Sequence, residues 1–171
     1  MAALHLLMLF CLTATAILTA PAAVLMTGQG LALAVLKYIQ ETKTWIDAEK
    51  SCQTLGANLA SIHSAEENDF ILDMIQKATG ARTRTWIGGS DAAKEGIWLW
   101  TDGSVWDYTA WHGGEPNNVA NNEHSLMVNL HSTPKFWNDF PGSHALFYMC
   151  AKKTASLNLE GFSCHCTACS M

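Results

Sequence analysis

The chain has 171 residues, of which 49% are apolar and 15% charged, and carries a formal net charge of −5. That length and apolar content give one domain with a real core and are too short for two ordinary ones. The acidic balance, with no basic stripe to neutralise phosphates, argues against nucleic acid and fits a calcium ion or a neutral ligand better.

No charged residue precedes Lys37, and Leu4 to Leu18 is an almost unbroken apolar run. It is short for a membrane span and the right length for the core of a signal peptide, with Ala20-Pro21-Ala22 as a small-x-small cleavage site. The expected division is therefore a signal peptide over 1–22, an N-terminal segment over 23–35, a domain over 36–153 and a tail over 154–171. The rival reading, a membrane anchor, needs about 20 apolar residues and flanking basic charge. Secretion makes disulfides permissible. Of the six cysteines, Cys11 leaves with the signal, and the remaining odd number implies a free or intermolecular thiol.

Residues 31–40 are apolar enough for an opening strand that closes the N-terminal edge of the domain. Thr44 then precedes Trp45, Ala48, Cys52 and Leu55, an apolar face at helical spacing, with Asp47 at the third helical position and Gly56 placed to end the helix. Asn58 to His63 reads as a short strand or extended turn. Ser64-Ala65-Glu66-Glu67 is a capping box, and Phe70, Ile71, Met74, Ile75 and Ala78 form the buried stripe of a second helix that stops before Gly80. From Thr85 onward, tryptophans at 86, 98, 100, 106, 111 and 137 alternate with Gly88-Gly89, Asp102-Gly103 and Gly113-Gly114, the pattern of short strands joined by turns. The last strands are expected at Ser125 to Leu130 and Ala145 to Cys150. Helices followed by strands predict an α+β domain. A Cys52–Cys150 bridge would join its two ends; the alternative is a pair of buried thiols.

The stretch from Glu115 to Asp139 gathers Glu115, Asn117, Glu123, Asn138 and Asp139 in a segment rich in Gly, Asn and Pro. That is an all-oxygen donor set of the kind calcium takes, in a loop.

Taken together, Trp45-x-x-Ala48-x-x-x-Cys52, Leu59-Ala60-Ser61-Ile62, Trp86-Ile87-Gly88, Trp100-Thr101-Asp102-Gly103, Glu115-Pro116-Asn117, Trp137-Asn138-Asp139 and Cys150 resemble the C-type lectin domain. Within that family the resemblance is to the short secreted lectins of bony fish, which are related to the type II antifreeze fold. It implies a C-type lectin-like fold of two helices with antiparallel strands and a long calcium-binding loop. By the same resemblance, Glu115 and Asn117 flank a proline held in cis, and with Glu123, Asn138 and Asp139 they complete a calcium cage. Two vicinal hydroxyls of a sugar then finish the coordination and bond to the same side chains. The order Glu-Pro-Asn goes in the family with mannose, N-acetylglucosamine and fucose.

The sequence also departs from the family. Asp91 and Glu95 match ligands of a second, nearby calcium, but Asn118 and His124 stand where carboxylates are expected, which predicts a weak or empty site. The family's second disulfide would join positions 125 and 142, here Ser125 and Gly142, so the metal-free loop around 112–140 is expected to be mobile. The tail holds Cys164, His165, Cys166 and Cys169, for which an interchain disulfide is a better reading than zinc. Trp86, Trp98, Trp100, Trp106 and Trp137 are expected in the core, and His112 and His124 as solvent-exposed loop residues flanking the site.

The leading expectation is a secreted, calcium-dependent lectin for mannose-type glycans on microbial surfaces in innate immunity, with a disulfide-linked oligomer expected through the tail cysteines. The alternatives are an ice-binding protein on the same fold and a protein-binding module that ignores sugar. An enzyme is not expected, because no nucleophile and base stand at a recognisable spacing.

Overall fold

A computed structural model describes residues 22–26, 33–129 and 136–153. The expected signal peptide, apart from Ala22, and the cysteine-containing tail lie outside the described residues. Strand β1 (Ala22–Met26) pairs antiparallel with β2 (Leu33–Lys43). Along β2, Ala34, Leu36 and Tyr38 are buried while Val35, Lys37 and Ile39 are partly exposed, the alternation of a strand with one face on a core. The expected strand is there, but it does not close the edge: the backbone groups on its outer side are taken up by β1.

Helix α1 (Trp45–Thr54) opens where expected, with the Thr44 hydroxyl accepting from the Asp47 amide. It ends one residue short of the predicted face. Leu55 is the C-cap and 45% exposed; Ala48 and Cys52 are buried as expected, with Glu49 added and Trp45 only half-buried. Strand β3 (Asn58–Leu59) follows. Helix α2 (Ala65–Thr79) is capped by the Ser64 hydroxyl on the Glu67 amide, and Glu67 Oε2 accepts from the His63 amide at 2.7 Å. It ends at Gly80 in the left-handed region, φ 71°, where a side chain would be strained. Ile71 and Ile75 are fully buried and Leu72 nearly so; Leu72 is an addition to the predicted stripe, and Phe70, Met74 and Ala78 are only half-buried at its margin.

The remaining strands are β4 (Thr85–Ser90), β5 (Leu99–Trp100), β6 (Ser125–Val128), β7 (Trp137–Phe140) and β8 (Leu146–Lys153). The sheet order is β1-β2-β8-β4-β6-β7, with β3 on β8 and β5 on β4. The strands are mostly antiparallel as expected, with one parallel pairing: β4 runs alongside β8, Thr85 opposite Phe147 and Trp86 opposite Tyr148. Since β8 must also run antiparallel to β2, both orientations meet on one strand.

Period-two alternation divides the core. Leu126 and Val128, Ile87, and Met149 pack with Ile71, Leu72 and Ile75 of α2. Their strand neighbours Met127, Trp86, Tyr148 and Cys150 pack with Ala48 and Cys52 of α1. Successive strand residues face opposite sides, so the two helices cover opposite faces of the sheet. The Cys52–Cys150 disulfide sits in the second cluster with both residues buried, Cα atoms 5.5 Å apart, joining positions 98 residues apart. Gly88 lets β4 approach β3, since a Cβ there would lie 2.6 Å from the Leu59 carbonyl oxygen.

Candidate functional site

The five oxygen-bearing residues reach the site from two places. Asn138 and Asp139 are held on β7, which pairs with β6 in the register Met127 to Asn138 and Leu126 to Asp139. Beneath them, Trp137 is fully buried, donates from its indole to Asn68 Oδ1 at 2.9 Å and meets the rings of Trp100, Trp106, Tyr108 and Trp111 edge-on. This stack of rings fixes the strand that carries Asn138 and Asp139. Trp86, Trp98, Trp100 and Trp137 are buried as expected, while Trp106 is half-buried against them.

Glu115, Asn117 and Glu123 lie on the loop between β5 and β6. The Glu115–Pro116 peptide is cis. Asp139 draws the loop to the strand, accepting from the Asn117 amide at 3.1 Å and the Asn118 amide at 2.7 Å. The chain then turns tightly, with Asn118, Ala120 and Asn121 all at positive φ, so that the Val119 amide donates to Glu123 Oε2 at 2.9 Å. Asn118 Oδ1 in turn accepts from the Glu123 amide at 3.0 Å. Asn residues enter the left-handed region readily; Ala120, at φ 57°, does so under mild strain.

Three carboxylates therefore crowd together: Glu115, Glu123 and Asp139. Burial first, then contact with Asp139 and the charges of Asp139 and Glu123, pushes the Glu115 carboxyl up to about 7. Burial, partly offset by the Val119 amide, also raises Glu123, with the charge of Asp139 adding to it. Glu115 Oε2 is buried and has no hydrogen-bond partner. Like charges gathered with an unpartnered oxygen are what a hard cation would relieve, and the all-oxygen donor set is one that could hold calcium. Asn117 joins through its backbone amide and exposed side chain, its Oδ1 accepting from the Val119 amide at 3.2 Å. Asn138 stands apart: its amide turns back onto the Asp139 carbonyl oxygen.

Asp91 and Glu95, assigned to the second site, converge with His124 rather than with a further carboxylate. His124 Nδ1 is 3.0 Å from Asp91 Oδ1, so it is not the freely solvated residue expected. His112 is half-buried with its ring 5.6 Å from that of Phe136. Asn118 bridges both sets, donating to Glu95 Oε2 at 2.5 Å. Sequence reasoning missed this double role, because one Asn among several carries no signal of which amides it will meet.

A second polar chain also escaped it. His63 contacts Asp107 Oδ1 at 2.7 Å through Nδ1 and Ser61 Oγ at 3.1 Å through Nε2. The Ser61 hydroxyl donates to Asp102 Oδ2 at 2.7 Å, so its proton is committed away from the imidazole and the four residues tie two loops together instead of activating a nucleophile.

The Lectin C-type domain family matches residues 41–152. The chain belongs to the C-type lectin domain family. This C-type lectin domain is 43% identical over 108 residues to "Galactose-specific lectin nattectin" of Thalassophryne nattereri, covering 63% of this chain and 67% of that protein. It is 40% identical over 102 residues to "Ladderlectin" of Oncorhynchus mykiss, covering 60% and 53%, so the chain spans between half and two thirds of the length of these relatives. Among solved structures, herring type II antifreeze protein superposes with a TM-score of 0.65 at 33% identity, over 71% of this chain and 91% of that one. The C-type lectin CEL-I from Cucumaria echinata gives 0.66 at 29% identity, over 80% and 99%. Both the fish-lectin resemblance and the antifreeze relation read from the sequence agree with these likenesses.

Proposed function

We propose that this chain is a secreted, calcium-dependent lectin for glycans of the mannose, N-acetylglucosamine and fucose type, and not an enzyme. The observation that carries the reading is the convergence of Glu115, Glu123 and Asp139 around an unpartnered, buried Glu115 oxygen. Glu115, Asn117, Glu123, Asn138 and Asp139 are the assigned ligands. The ion, when bound, supplies coordination positions for two sugar hydroxyls. The chain's own groups do the rest: carboxylate oxygens of Glu115 and Glu123 accept from those hydroxyls, and the carboxamides of Asn117 and Asn138 donate to them. With so few contacts, one monosaccharide binds weakly, and useful affinity comes from several sites engaged together. Cysteine-linked oligomers through the tail would supply that multivalency, and a ladder of bands on a non-reducing gel is the expected result.

The printed names of relatives divide between sugars. Nattectin is called galactose-specific, and an Oxyuranus scutellatus relative at 34% identity is called mannose-binding. The order Glu115-Pro116-Asn117 favours the mannose class here. Secretion is supported by the apolar N-terminus and by kinship with fish lectins; among the described residues no helix is long and apolar enough to cross a membrane. The 33% identity to herring antifreeze protein supports a second reading, ice binding on the same fold. Retention on mannose and galactose resins, each with calcium and with a chelator, decides between them. The lectin is retained on mannose and released by chelator; retention on galactose alone would overturn the sugar assignment, and flow-through on both would favour the second reading.

A further inference from the structure

Asp91, Glu95 and His124 place one ligand atom each within 4.8 Å of one another, beside the loop but sharing no assigned ligand with it. The family resemblance implies a second calcium here. These residues do not fit that ion, which takes six to eight oxygens. His124 brings a ring nitrogen into the cluster. Asn118 brings a donor, because its Oδ1 is occupied by the Glu123 amide and its NH₂ faces Glu95. The amide orientation is thus fixed from both ends.

The same set does fit a smaller, borderline cation. Zinc accepts mixed nitrogen and oxygen ligands at about 2.0–2.2 Å in a tetrahedron, whose edges are then about 3.4 Å. The His124 Nδ1 to Asp91 Oδ1 separation is 3.0 Å and the Nδ1 to Glu95 Oε2 separation is 3.6 Å, one on each side of that edge. Asp91 is buried and the Gly96 amide donates to its second oxygen at 2.8 Å, while Asn118 orients Glu95. Outer partners of this kind aim ligands at a metal. Glu95 is 57% exposed, so this corner of the cluster faces solvent.

We propose that Asp91, Glu95 and His124 form a second metal site that has exchanged calcium for zinc, with three protein ligands and a fourth position left to solvent. Replacing carboxylates by His and Asn lowers the charge and softens the donor set, and both changes move preference away from calcium.

The test is calorimetric titration of the full chain with zinc in the presence of excess calcium, in the wild type, in His124→Ala and in a variant with Cys164, Cys166 and Cys169 replaced by Ser. The proposal expects one zinc bound per chain, retained in the cysteine variant and weakened about tenfold or more in His124→Ala. His124→Asp is expected to lose zinc and bind one more calcium than the wild type, a readout that controls for misfolding. Cobalt in place of zinc should show no thiolate charge-transfer band in the cysteine-replaced variant and no loss of binding there. Equal zinc affinity in wild type and His124→Ala, zinc binding lost with the tail cysteines, or no zinc binding at all would overturn it. The glycan-resin result is independent, since no ligand of the proposed calcium is altered.

Discussion

Around Cys52 and Cys150 the chain is closed by a covalent bond set in apolar surroundings. Ala48, Leu59, Trp86, Met127 and Tyr148 pack against the two sulfurs, and the one buried carboxylate nearby, Glu49, accepts from Asn58 Nδ2, the Leu59 amide and Gln53 Nε2. Around Glu115, Glu123 and Asp139 the balance is reversed. Three carboxylates are drawn together, one oxygen is left without a partner, and the side chains at 125 and 142 supply no bridge. Among the described residues, the buried Glu49 carboxylate has partners on both oxygens in the first region, whereas a buried Glu115 oxygen has none in the second. The contrast sets a half closed by its own covalent bond beside a half in which like charges are gathered.

The comparison can be broken in both directions. Replacing Cys52 and Cys150 together by Ala should cost up to ~4.7 kcal/mol in the chain-entropy description, measured by denaturant unfolding with calcium present, and should hardly alter calcium affinity. In the other direction, the loop can be given the bond it lacks. A Cβ built on Gly142 lies 3.5 Å from the Ser125 Cβ, inside the range a disulfide spans. Ser125→Cys with Gly142→Cys should therefore form a bridge and stabilise the chelated protein by ~3 kcal/mol, with a smaller gain when calcium is bound. Glu123→Gln keeps the acceptor for the Val119 amide but removes a ligand charge. Calcium affinity should fall on the order of 100-fold by calorimetry, about 2.7 kcal/mol, with chelated stability unchanged or slightly higher.

The smallest effect is that of pH. The folded value of Glu115, about 7, lies above the ordinary 4.5, so the metal-free fold binds this proton more tightly than the unfolded chain. Its contribution to stability is full below about 4.5 and is lost as pH rises through 7. The metal-free melting temperature should thus decline from pH 5 to 8 by an amount that Glu115→Gln abolishes. Calcium, competing with the proton, should bind more weakly as pH falls through the same window.

Much of this arrangement could be read from residues alone where the determinants are local. Thr44 with Asp47, Ser64 with Glu67, and Gly80 mark helix ends through contacts a few residues long, and all three fall where the spacing puts them. The pairing of Cys52 with Cys150 was legible from their places on the first helix's apolar face and at the end of the expected last strand. What stayed hidden depended on contacts between distant segments. Nothing in the run around Ser125 shows that β4 will lie parallel to β8, or that Ser125 will face Gly142. Glu49 sits on a helix position that reads as solvated until Asn58 and Leu59 return to it. His124 reads as a surface residue until Asp91, just past the end of β4, meets it. Ligand types are legible in a sequence; the partners that occupy or leave free their lone pairs are not.

Hydrogen exchange with and without calcium tests the central claim, that an ion finishes the loop while the disulfide-bridged half finishes itself. The amides of Asn117, Asn118, Val119 and Glu123 should gain protection on adding calcium and lose it to chelator, while those of α1 and β8 stay unchanged. Equal protection of the loop in both conditions, or an equal response in α1 and β8, would contradict it.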